Sequence, residues 1–257
     1  MPVKFTILGC GYSMGVPRID GDFGNCDPKN QKNYRTRCSA IISYQNKNIL
    51  IDTSPDLRSQ LIKNKINNID KIFYTHNHAD QTHGINDLRV FYLKQKKRIN
   101  VYADNLTRKY LLKSFRYCFK YTSEYPPILT MNKLKKKHLI KYKNKTLELD
   151  SIPVQHGKID SISYLINNKC AYASDASKIY KKDLYKFFNL KYFVVDCLRY
   201  DPHYSHFHLQ DILDLVKIIK PKKTILTNLN NQMDYNSLIK ILPKNIVPAY
   251  DGMNFLI

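Results

Sequence analysis

Several kinds of segment are missing from this 257-residue sequence. Its apolar runs stay well short of the about 18 residues that a membrane-spanning helix requires. The apolar stretch at residues 3–8 begins too early and ends too soon to be the hydrophobic part of a signal peptide. None of the six cysteines stands in Cys-x-x-Cys spacing. We therefore expect a cytoplasmic protein with reduced thiols and no place in a membrane.

Acidic residues are also scarce. The chain carries 42 Lys+Arg against 21 Asp+Glu, a formal net charge of +21. Such an excess favours an anionic partner, such as a phosphate ester, a nucleotide or RNA. However, most of the excess is lysine, whereas bidentate phosphate recognition favours arginine, and an abundance of Lys, Asn, Ile and Tyr also arises from composition alone. The charge supports a small anionic substrate and gives weaker support to nucleic acid.

Short β-like runs alternate along the chain with amphipathic helices, which are predicted at residues 55–64, 86–97, 106–119, 181–188 and 207–219. The clearest helix covers residues 207–219, where five apolar side chains share one face: Leu209, Ile212, Leu213, Val216 and Ile219. Residues 133–137, four of them lysine, are interpreted as a surface excursion. Strand pairs at both ends of the chain predict two sheets packed face to face with helices outside, in a single domain over residues 1–257.

The most informative segment is residues 71–84, in which a short apolar strand runs into a cluster of histidines. His76, His78 and Asp80 follow the strand directly, and His83 comes three residues later. Imidazoles at positions i and i+2 of an extended loop project to the same side, and a divalent metal is the usual reason for such a cluster. This spacing predicts a metal site.

Other polar residues also stand where predicted strands end. They are Asp52, His156, Asp175, Asp196, Asn228 and Asn230. Loops at one edge of a rigid sheet commonly present metal ligands and catalytic groups. A single strand-end aspartate is often only a turn former, but so many of them indicate one shared site.

These motifs resemble those of the metallo-β-lactamase-fold hydrolases. The resemblance rests on His76-x-His78-x-Asp80, then His156-Gly157, then the strand-end Asp175. The opening at residues 8–17, the closing Asp251-Gly252 and the Ser205-His206 pair are similar to the branch that contains the phosphoribosyl cyclic-phosphate phosphodiesterase. This resemblance covers nearly the whole chain and implies an α/β (α+β) fold, the αββα four-layer sandwich.

The resemblance also implies roles for particular residues. His76, His78 and His156 would hold a first metal, expected to be zinc, and Asp175 would bridge to a second. Asp80 would be a ligand of that second metal or a catalytic group. His206 would bind phosphate or protonate the leaving oxygen. The supporting hydrogen bonds behind the ligands would come from Asp52 and Asp251.

The sequence departs from the family pattern at two positions that belong to the second metal. Gln81 stands where the family has the last histidine of its motif, and Asn230 is taken as the counterpart of a later histidine. Amide oxygens are weak zinc ligands compared with imidazole. Three hypotheses follow: a one-zinc enzyme in which Asp80 orients the attacking water, a two-metal enzyme whose second ion is the harder Mn²⁺ or Mg²⁺, and a non-catalytic descendant that binds an anion or nucleic acid.

For the enzyme, the resemblance implies hydrolysis of a small phosphodiester, cyclic or linear, by a metal-bound hydroxide. Arg89 and Arg199 are candidates for holding a second anionic group. The alternative is an RNA-processing endonuclease similar to the tRNA 3′-end ribonucleases, for which the basic and aromatic residues 116–145 would contact the strand. The oligomeric state stays open, with a homodimer among the options.

Overall fold

The computed structural model describes residues 3–121, 125–142 and 145–257. Its first sheet contains six strands from the first half of the chain: β1 (Lys4–Gly9), β2 (Ser39–Tyr44), β3 (Lys47–Ile51), β4 (Lys71–Phe73), β5 (Ile99–Ala103) and β6 (Leu129–Lys133). The second sheet follows with β7 (Lys137–Tyr142), β8 (Lys145–His156), β9 (Ile159–Ile166), β10 (Cys170–Ala173), β11 (Lys178–Ile179), β12 (Tyr192–Asp196), β13 (Lys223–Thr227) and β14 (Ile246–Pro248). The last strand, β15 (Asn254–Leu256), returns to the first sheet and pairs with β1.

The first sheet has the order β15-β1-β2-β3-β4-β5-β6, and the second has the order β11-β8-β9-β10-β12-β13-β14 with β7 also paired to β8. The α-helices of the described ranges are α1 (Leu57–Lys63), α2 (Ala79–Thr82), α3 (Arg89–Gln95), α4 (Asn105–Ser114), α5 (Arg116–Phe119), α6 (Leu209–Ile219) and α7 (Tyr235–Ile241). Three 3-10 helices cover Gln31–Asn33, Ile85–Leu88 and Lys181–Phe187.

The core is divided into layers by the two sheets. One buried cluster joins their facing surfaces, with Phe5 and Ile42 from the first sheet packed among Tyr164 and Tyr172 of the second. A second cluster packs α1, α3 and α4 on the outer face of the first sheet. A third packs α6 and α7 on the outer face of the second sheet. The predicted αββα four-layer sandwich is therefore confirmed.

Strand direction brings the carboxyl ends of both sheets to one edge of the molecule. In the first sheet β3, β4, β5 and β6 are mutually parallel. In the second, β10, β12, β13 and β14 are parallel, and β8 runs in the same direction because β9 is antiparallel to both β8 and β10. The segments that follow these strands therefore meet at one edge, where α/β proteins usually bind ligands.

Some predicted elements differ from the observed ones. The expected surface excursion at residues 133–137 begins at the end of β6 and leads directly into β7. Ile140 is the only buried residue of β7, so this strand lacks the apolar alternation that predicts a strand. The predicted helix at residues 86–97 divides into a 3-10 turn and α3, and the one at residues 181–188 is a 3-10 helix.

None of the helices in the described ranges is long and apolar enough to cross a membrane. The amphipathic α6 has 11 residues, which gives a length of about 16 Å at 1.5 Å per residue. Its apolar face packs on the second sheet, as the periodicity of residues 207–219 predicts.

A buried arginine ties the N-terminal segment to the loop after β13. Arg35 is 1% exposed. Its Nη2 donates to the carbonyl of Met233 at 2.7 Å and to Asn33 Oδ1 at 3.0 Å, and its Nη1 donates to the carbonyl of Asn230 at 3.2 Å. These bonds hold the backbone of the loop that carries two of the strand-end amides.

Asp234 completes this connection from the start of α7. Its Oδ1 accepts from the Ser237 amide at 2.8 Å, and its Oδ2 accepts from Asn33 Nδ2 at 2.7 Å and from the Asp27 amide at 3.2 Å. Burial alone would raise the pKa of Asp234, but the hydrogen bonds from Ser237, Asn33 and Asp27 outweigh it and lower that pKa to about 2. The folded state therefore favours the charged carboxylate.

We predict that Asp234→Ala lowers the free energy of unfolding by about 1–2 kcal/mol, because it removes a helix cap and a buried acceptor. Since the folded pKa lies below the unfolded value of about 4, the charged group stabilises the protein above pH 4, and that contribution is lost as the pH falls toward 2. Denaturant unfolding of both proteins between pH 2 and 7 measures the difference, which should narrow in acid. A difference that stays constant across this range would contradict the assignment.

Candidate metal and active site

His76 is oriented from behind by a chain of hydrogen bonds that begins at Asp52. The Thr75 amide donates to Asp52 Oδ1, and the Thr75 hydroxyl donates to Asp52 Oδ2, each at 2.8 Å. Because that hydroxyl gives its proton to Asp52, it accepts from His76 Nδ1 at 3.0 Å. The Nε2 atom of His76 then carries a free lone pair, as an oriented metal ligand does.

His156 ends β8 and is oriented by a different carbonyl. Its Nδ1 donates to the backbone oxygen of Ser205 at 2.7 Å. Nε2 therefore carries a lone pair, and it lies within hydrogen-bonding distance of His78 Nδ1, at 3.3 Å. Gly157 makes this approach possible: it has φ +59°, and a Cβ built there would lie 2.9 Å from the Ser205 Cβ. A larger residue at position 157 would push the Ser205 loop away from His156.

The three imidazoles form one compact group. Their ring centroids are 4.5 Å apart for His76–His78, 4.9 Å for His76–His156 and 5.0 Å for His78–His156. Each ring offers one nitrogen, and these nitrogens lie within 4.8 Å of one another. Two nitrogens bound to one tetrahedral zinc lie about 3.3 Å apart, so the cluster is close to ligating geometry.

The chemistry of the rings also fits a metal. His76 Nε2 is buried and has no hydrogen-bond partner among the described residues, although an unpaired buried polar atom is costly. Burial, followed by the neighbouring imidazoles, lowers the pKa of His76 well below its ordinary value. Burial likewise lowers the pKa of His156. Both rings are therefore neutral near pH 7, which is the form that binds a metal.

Asp175, after β10, lies beside the three histidines and is held by two amide groups. Gln81 Nε2 donates to Asp80 Oδ2 and to Asp175 Oδ2, each at 3.2 Å. Asn228 Nδ2 donates to Asp175 Oδ1 at 3.4 Å. Burial and the Asp80 carboxylate raise the pKa of Asp175 to about 6. Gln81 Nε2 thus lies between Asp80 and Asp175, the two carboxylates that the resemblance assigns to a second metal.

The predicted counterpart of the family's later histidine needs a correction. Asn230 Oδ1 accepts from the Gln232 amide at 2.9 Å, and its Nδ2 donates to Gln232 Oε1 at 3.4 Å. The amide that reaches Asp175 belongs to Asn228, which directly follows β13 with φ +60°. Asn230 lines the same cavity but is engaged with its own loop.

His206 lies in one group with His156 and Asp175 and is paired with Asp196, a strand-end residue to which the sequence analysis gives no individual role. Its Nδ1 donates to Asp196 Oδ2 at 2.6 Å, and Asp196 is fully buried at the end of β12. Burial lowers the pKa of His206, but the nearby carboxylates, above all Asp196, outweigh it and raise that pKa to about 9. The strand-end position of Asp196 predicts its place in the shared site, whereas its pairing with His206 is shown only by the structure.

These groups open into a cavity of about 450 Å³. Its wall combines His78, Asp80, His156, Asp175 and His206 with residues of the N-terminal loop. Arg18 from that loop also lines the cavity, and the sequence analysis missed this residue. Its guanidinium pairs with Asp22 at 2.7 Å.

The remaining predicted residues lie in different places. Arg199 lines the cavity, with its guanidinium donating to the carbonyls of Asp201 and Pro202. Arg89 stacks on Tyr125 and lines a separate cavity.

Asp251 and His83 also make their hydrogen bonds away from the three histidines. Asp251 accepts hydrogen bonds from the amides of Cys10 and Thr36, so its support reaches the N-terminal segment rather than a candidate ligand. His83 Nε2 is 2.9 Å from the Tyr110 hydroxyl.

With this geometry in view, the chain can be compared with known proteins. Residues 47–227 match the Beta-lactamase superfamily domain. The chain belongs to this family. The predicted resemblance is thereby confirmed at the level of the family and the fold.

Solved structures agree with this assignment. A structure described as a new diphosphatase from the PhnP family is 30% identical, with a TM-score of 0.91 over 100% of this chain and 98% of that one. Zn²⁺-bound PqqB from Methylobacterium extorquens is 15% identical, with a TM-score of 0.75 over 98% and 99% of the two chains. The short form of human tRNase Z is 16% identical, with a TM-score of 0.70 over 98% of each chain. The last two show the shared fold, and the family as a whole supports hydrolase activity.

A curated relative carries a different kind of name. It is an octanoyltransferase of Porphyromonas gingivalis (strain ATCC BAA-308 / W83), 27% identical over 260 residues. The match covers 99% of this chain but 52% of the relative. This chain thus spans about half the length of that protein.

We predict that zinc raises the thermal unfolding temperature of the wild type, because an ion that binds only the folded state adds about 2.7 kcal/mol of stability at a hundredfold excess over its dissociation constant. His156→Ala removes one of the three candidate imidazole ligands and should lose most of this shift. His83→Ala, the matched exposed histidine of the same segment, should keep it. Thermal melts with zinc and with a chelator provide the measurement; an equal shift in all three proteins would place the metal elsewhere.

Proposed function

We propose that this protein is a metal-dependent hydrolase that acts on a small phosphodiester. The observation that carries the proposal is the convergence of His76, His78 and His156. The Nε2 atom of His76 is buried there and has no hydrogen-bond partner in the described part of the chain. Zinc is the ion that best suits three neutral imidazoles with a neighbouring carboxylate. Asp175 would complete the set of ligands.

A divalent ion held there would supply Lewis-acid stabilisation of a phosphoryl oxygen and lower the pKa of a bound water toward about 7. The protein would supply the orientation of the reactants. Asp80 lines the cavity beside the three histidines and would accept a hydrogen bond from the attacking water. This role needs no second metal, because positioning a nucleophile is itself a large part of catalysis.

His206 would provide the proton for the leaving group. Its bond to the buried Asp196 fixes the ring and keeps Nδ1 as the donor to that carboxylate. The raised pKa of His206, about 9, keeps the ring protonated near pH 7, so Nε2–H is available to a departing alkoxide. Its centroid lies 4.7 Å from that of His156, which places the acid beside the candidate metal ligands.

The cavity and the comparisons support a phosphoryl compound of modest size. A volume of about 450 Å³ lies in the range of small-molecule sites. One of the similar structures is described as a diphosphatase, so a phosphoric anhydride is the natural second substrate class to assay. Arg18 and Arg199 line the same cavity and could pair with a further anionic group.

We predict that the effect of His206→Asn depends on the leaving group. An alkyl phosphodiester needs its alkoxide protonated, so its kcat should fall by about 10²–10⁴. The nitrophenolate of bis-p-nitrophenyl phosphate leaves without a proton, so its kcat should fall far less. Steady-state kinetics with both substrates at saturating zinc give the two ratios. Equal losses with both substrates would show that His206 positions the substrate and is not the acid.

An RNA-processing endonuclease is the second candidate, and one surface favours it. A groove of about 610 Å³ is lined by six lysines: Lys133, Lys135, Lys136, Lys137, Lys182 and Lys186. Ile162 lines this groove as well, and its amide donates to the carbonyl of Thr75, next to His76. The groove includes part of the basic segment predicted to contact RNA, of which residues 122–124 and 143–144 lie outside the described ranges.

If RNA occupies this groove, replacing three of its lysines, Lys133→Glu, Lys135→Glu and Lys136→Glu, should weaken binding to single-stranded RNA. The slope of log K against log salt should fall by about 2, because each phosphate that a lysine neutralises contributes about 0.7 to that slope. The control changes three exposed lysines of another surface: Lys222→Glu, Lys240→Glu and Lys244→Glu. Filter binding across 50–300 mM salt tests this. RNA binding equally weakened by both triple variants would reflect net charge and would count against the groove.

A further inference from the structure

We propose that the amide groups of Gln81 and Asn228 take the place of a second metal ion, so that this site is built to hold one cation. The inference rests on the proposed hydrolase function and deepens it. It gives a positive role to Gln81, which stands where the family pattern has a histidine, and to Asn228, whose amide reaches Asp175 from the end of β13. Both act as positioning residues for Asp175.

Three carboxylates concentrate negative charge at this site. Asp80, Asp175 and Asp196 cluster at the edge of the sheets, and Asp175 and Asp196 are 3% and 0% exposed. Buried carboxylates require a cation or hydrogen-bond donors. Asp196 has His206, whereas the oxygens of Asp175 are both satisfied by amide donors, Gln81 on Oδ2 and Asn228 on Oδ1.

The Gln81 side chain connects two of these carboxylates. One nitrogen, Nε2, lies 3.2 Å from both Asp80 and Asp175, and a carboxamide nitrogen carries two hydrogens, one for each acceptor. A single NH₂ group thus connects the two carboxylates that a second ion would connect. Gln81 is fully buried and directly follows Asp80 in α2, so its side chain has little freedom to leave.

The Gln81 amide directs its nitrogen, and not its oxygen, toward the carboxylates. Its Oε1 atom is buried with no partner among the described residues. Rotating the amide by half a turn would move Oε1 to a different environment. It would also place Oε1 against the carboxylate oxygens of Asp80 and Asp175 and remove both N–H donors from these oxygens. Only a hard cation between Asp80 and Asp175 would favour the turned amide. In the present orientation the amide gives both carboxylates a donor without a second ion.

Asn228 extends the same arrangement to the catalytic pair. Its Nδ2 lies 3.4 Å from Asp175 Oδ1 and 3.2 Å from Asp196 Oδ1. Its backbone has φ +60°, a left-handed conformation that asparagine tolerates better than most residues. This conformation turns the side chain toward the carboxylates, and it ties Asp175 to the Asp196–His206 pair without any additional charge.

The test is the number of metal ions bound, measured by elemental analysis after dialysis with excess zinc or manganese. The wild type should hold one ion per chain, and the double variant Gln81→His with Asn228→His should hold two. Two ions in the wild type, or one in the double variant, would overturn the inference. One ion without phosphodiesterase activity would instead remove the proposed function and leave the inference standing, whereas no bound ion would remove both.

A second pair of variants keeps the test valid if the double variant does not fold. Gln81→Glu is nearly isosteric but replaces the donor by a third carboxylate, while Gln81→Met removes the donor without adding charge. In chelator at pH 8, Gln81→Glu should melt at least about 4 °C below Gln81→Met, and manganese should restore it by occupying a new second site. Equal melting temperatures in chelator, or a second manganese in Gln81→Met, would contradict the inference.

Discussion

Burial of neutral imidazoles at the common edge of two sheets is the constraint on which the rest of this structure depends. His76 and His156 are 1% and 3% exposed, and each has one ring nitrogen bound to a fixed acceptor. The acceptors come from separate parts of the fold: Thr75, itself held by Asp52, and the carbonyl of Ser205. Moving either acceptor would turn a lone pair away from the shared centre, so the sheets, the Gly157 turn and the 205 loop all serve this geometry.

The same edge also has to accommodate negative charge. Three carboxylates meet there in a chain whose net charge is +21, yet no lysine or arginine is paired with them among the described ion pairs. Neutral amide donors and one histidine hold them instead. Lysines and arginines at these positions would compete with a metal, whereas amides position the carboxylates and leave room for one cation. The abundant lysines line a separate groove and the outer surface.

Sequence reasoning was most successful where a local pattern has one geometric outcome. Histidines at positions 76 and 78 must emerge on one side of the chain, and the strands before His156 and Asp175 end at the edge that their parallel direction dictates. It was least successful for β7, whose side chains are mostly exposed, and for the 3-10 helix at Lys181–Phe187, whose composition resembles that of an α-helix. β7 depends on its pairing with β8, and the 3-10 helix depends on tertiary packing. Neither can be read from the hydrophobic periodicity of a single segment.

The sequence by itself determined the family and the four-layer architecture and indicated the three candidate ligand histidines, because its His76-x-His78-x-Asp80, His156-Gly157 and Asp175 motifs resemble those of the family. Only the tertiary structure decided that Asn228 rather than Asn230 reaches Asp175, and that Asp196 orients His206. The reason is geometric. Asn228 and Asn230 lie two residues apart after the same strand, and a left-handed turn at Asn228, with the Arg35 bonds to the following loop, sends one amide into the site and the other back to its own backbone.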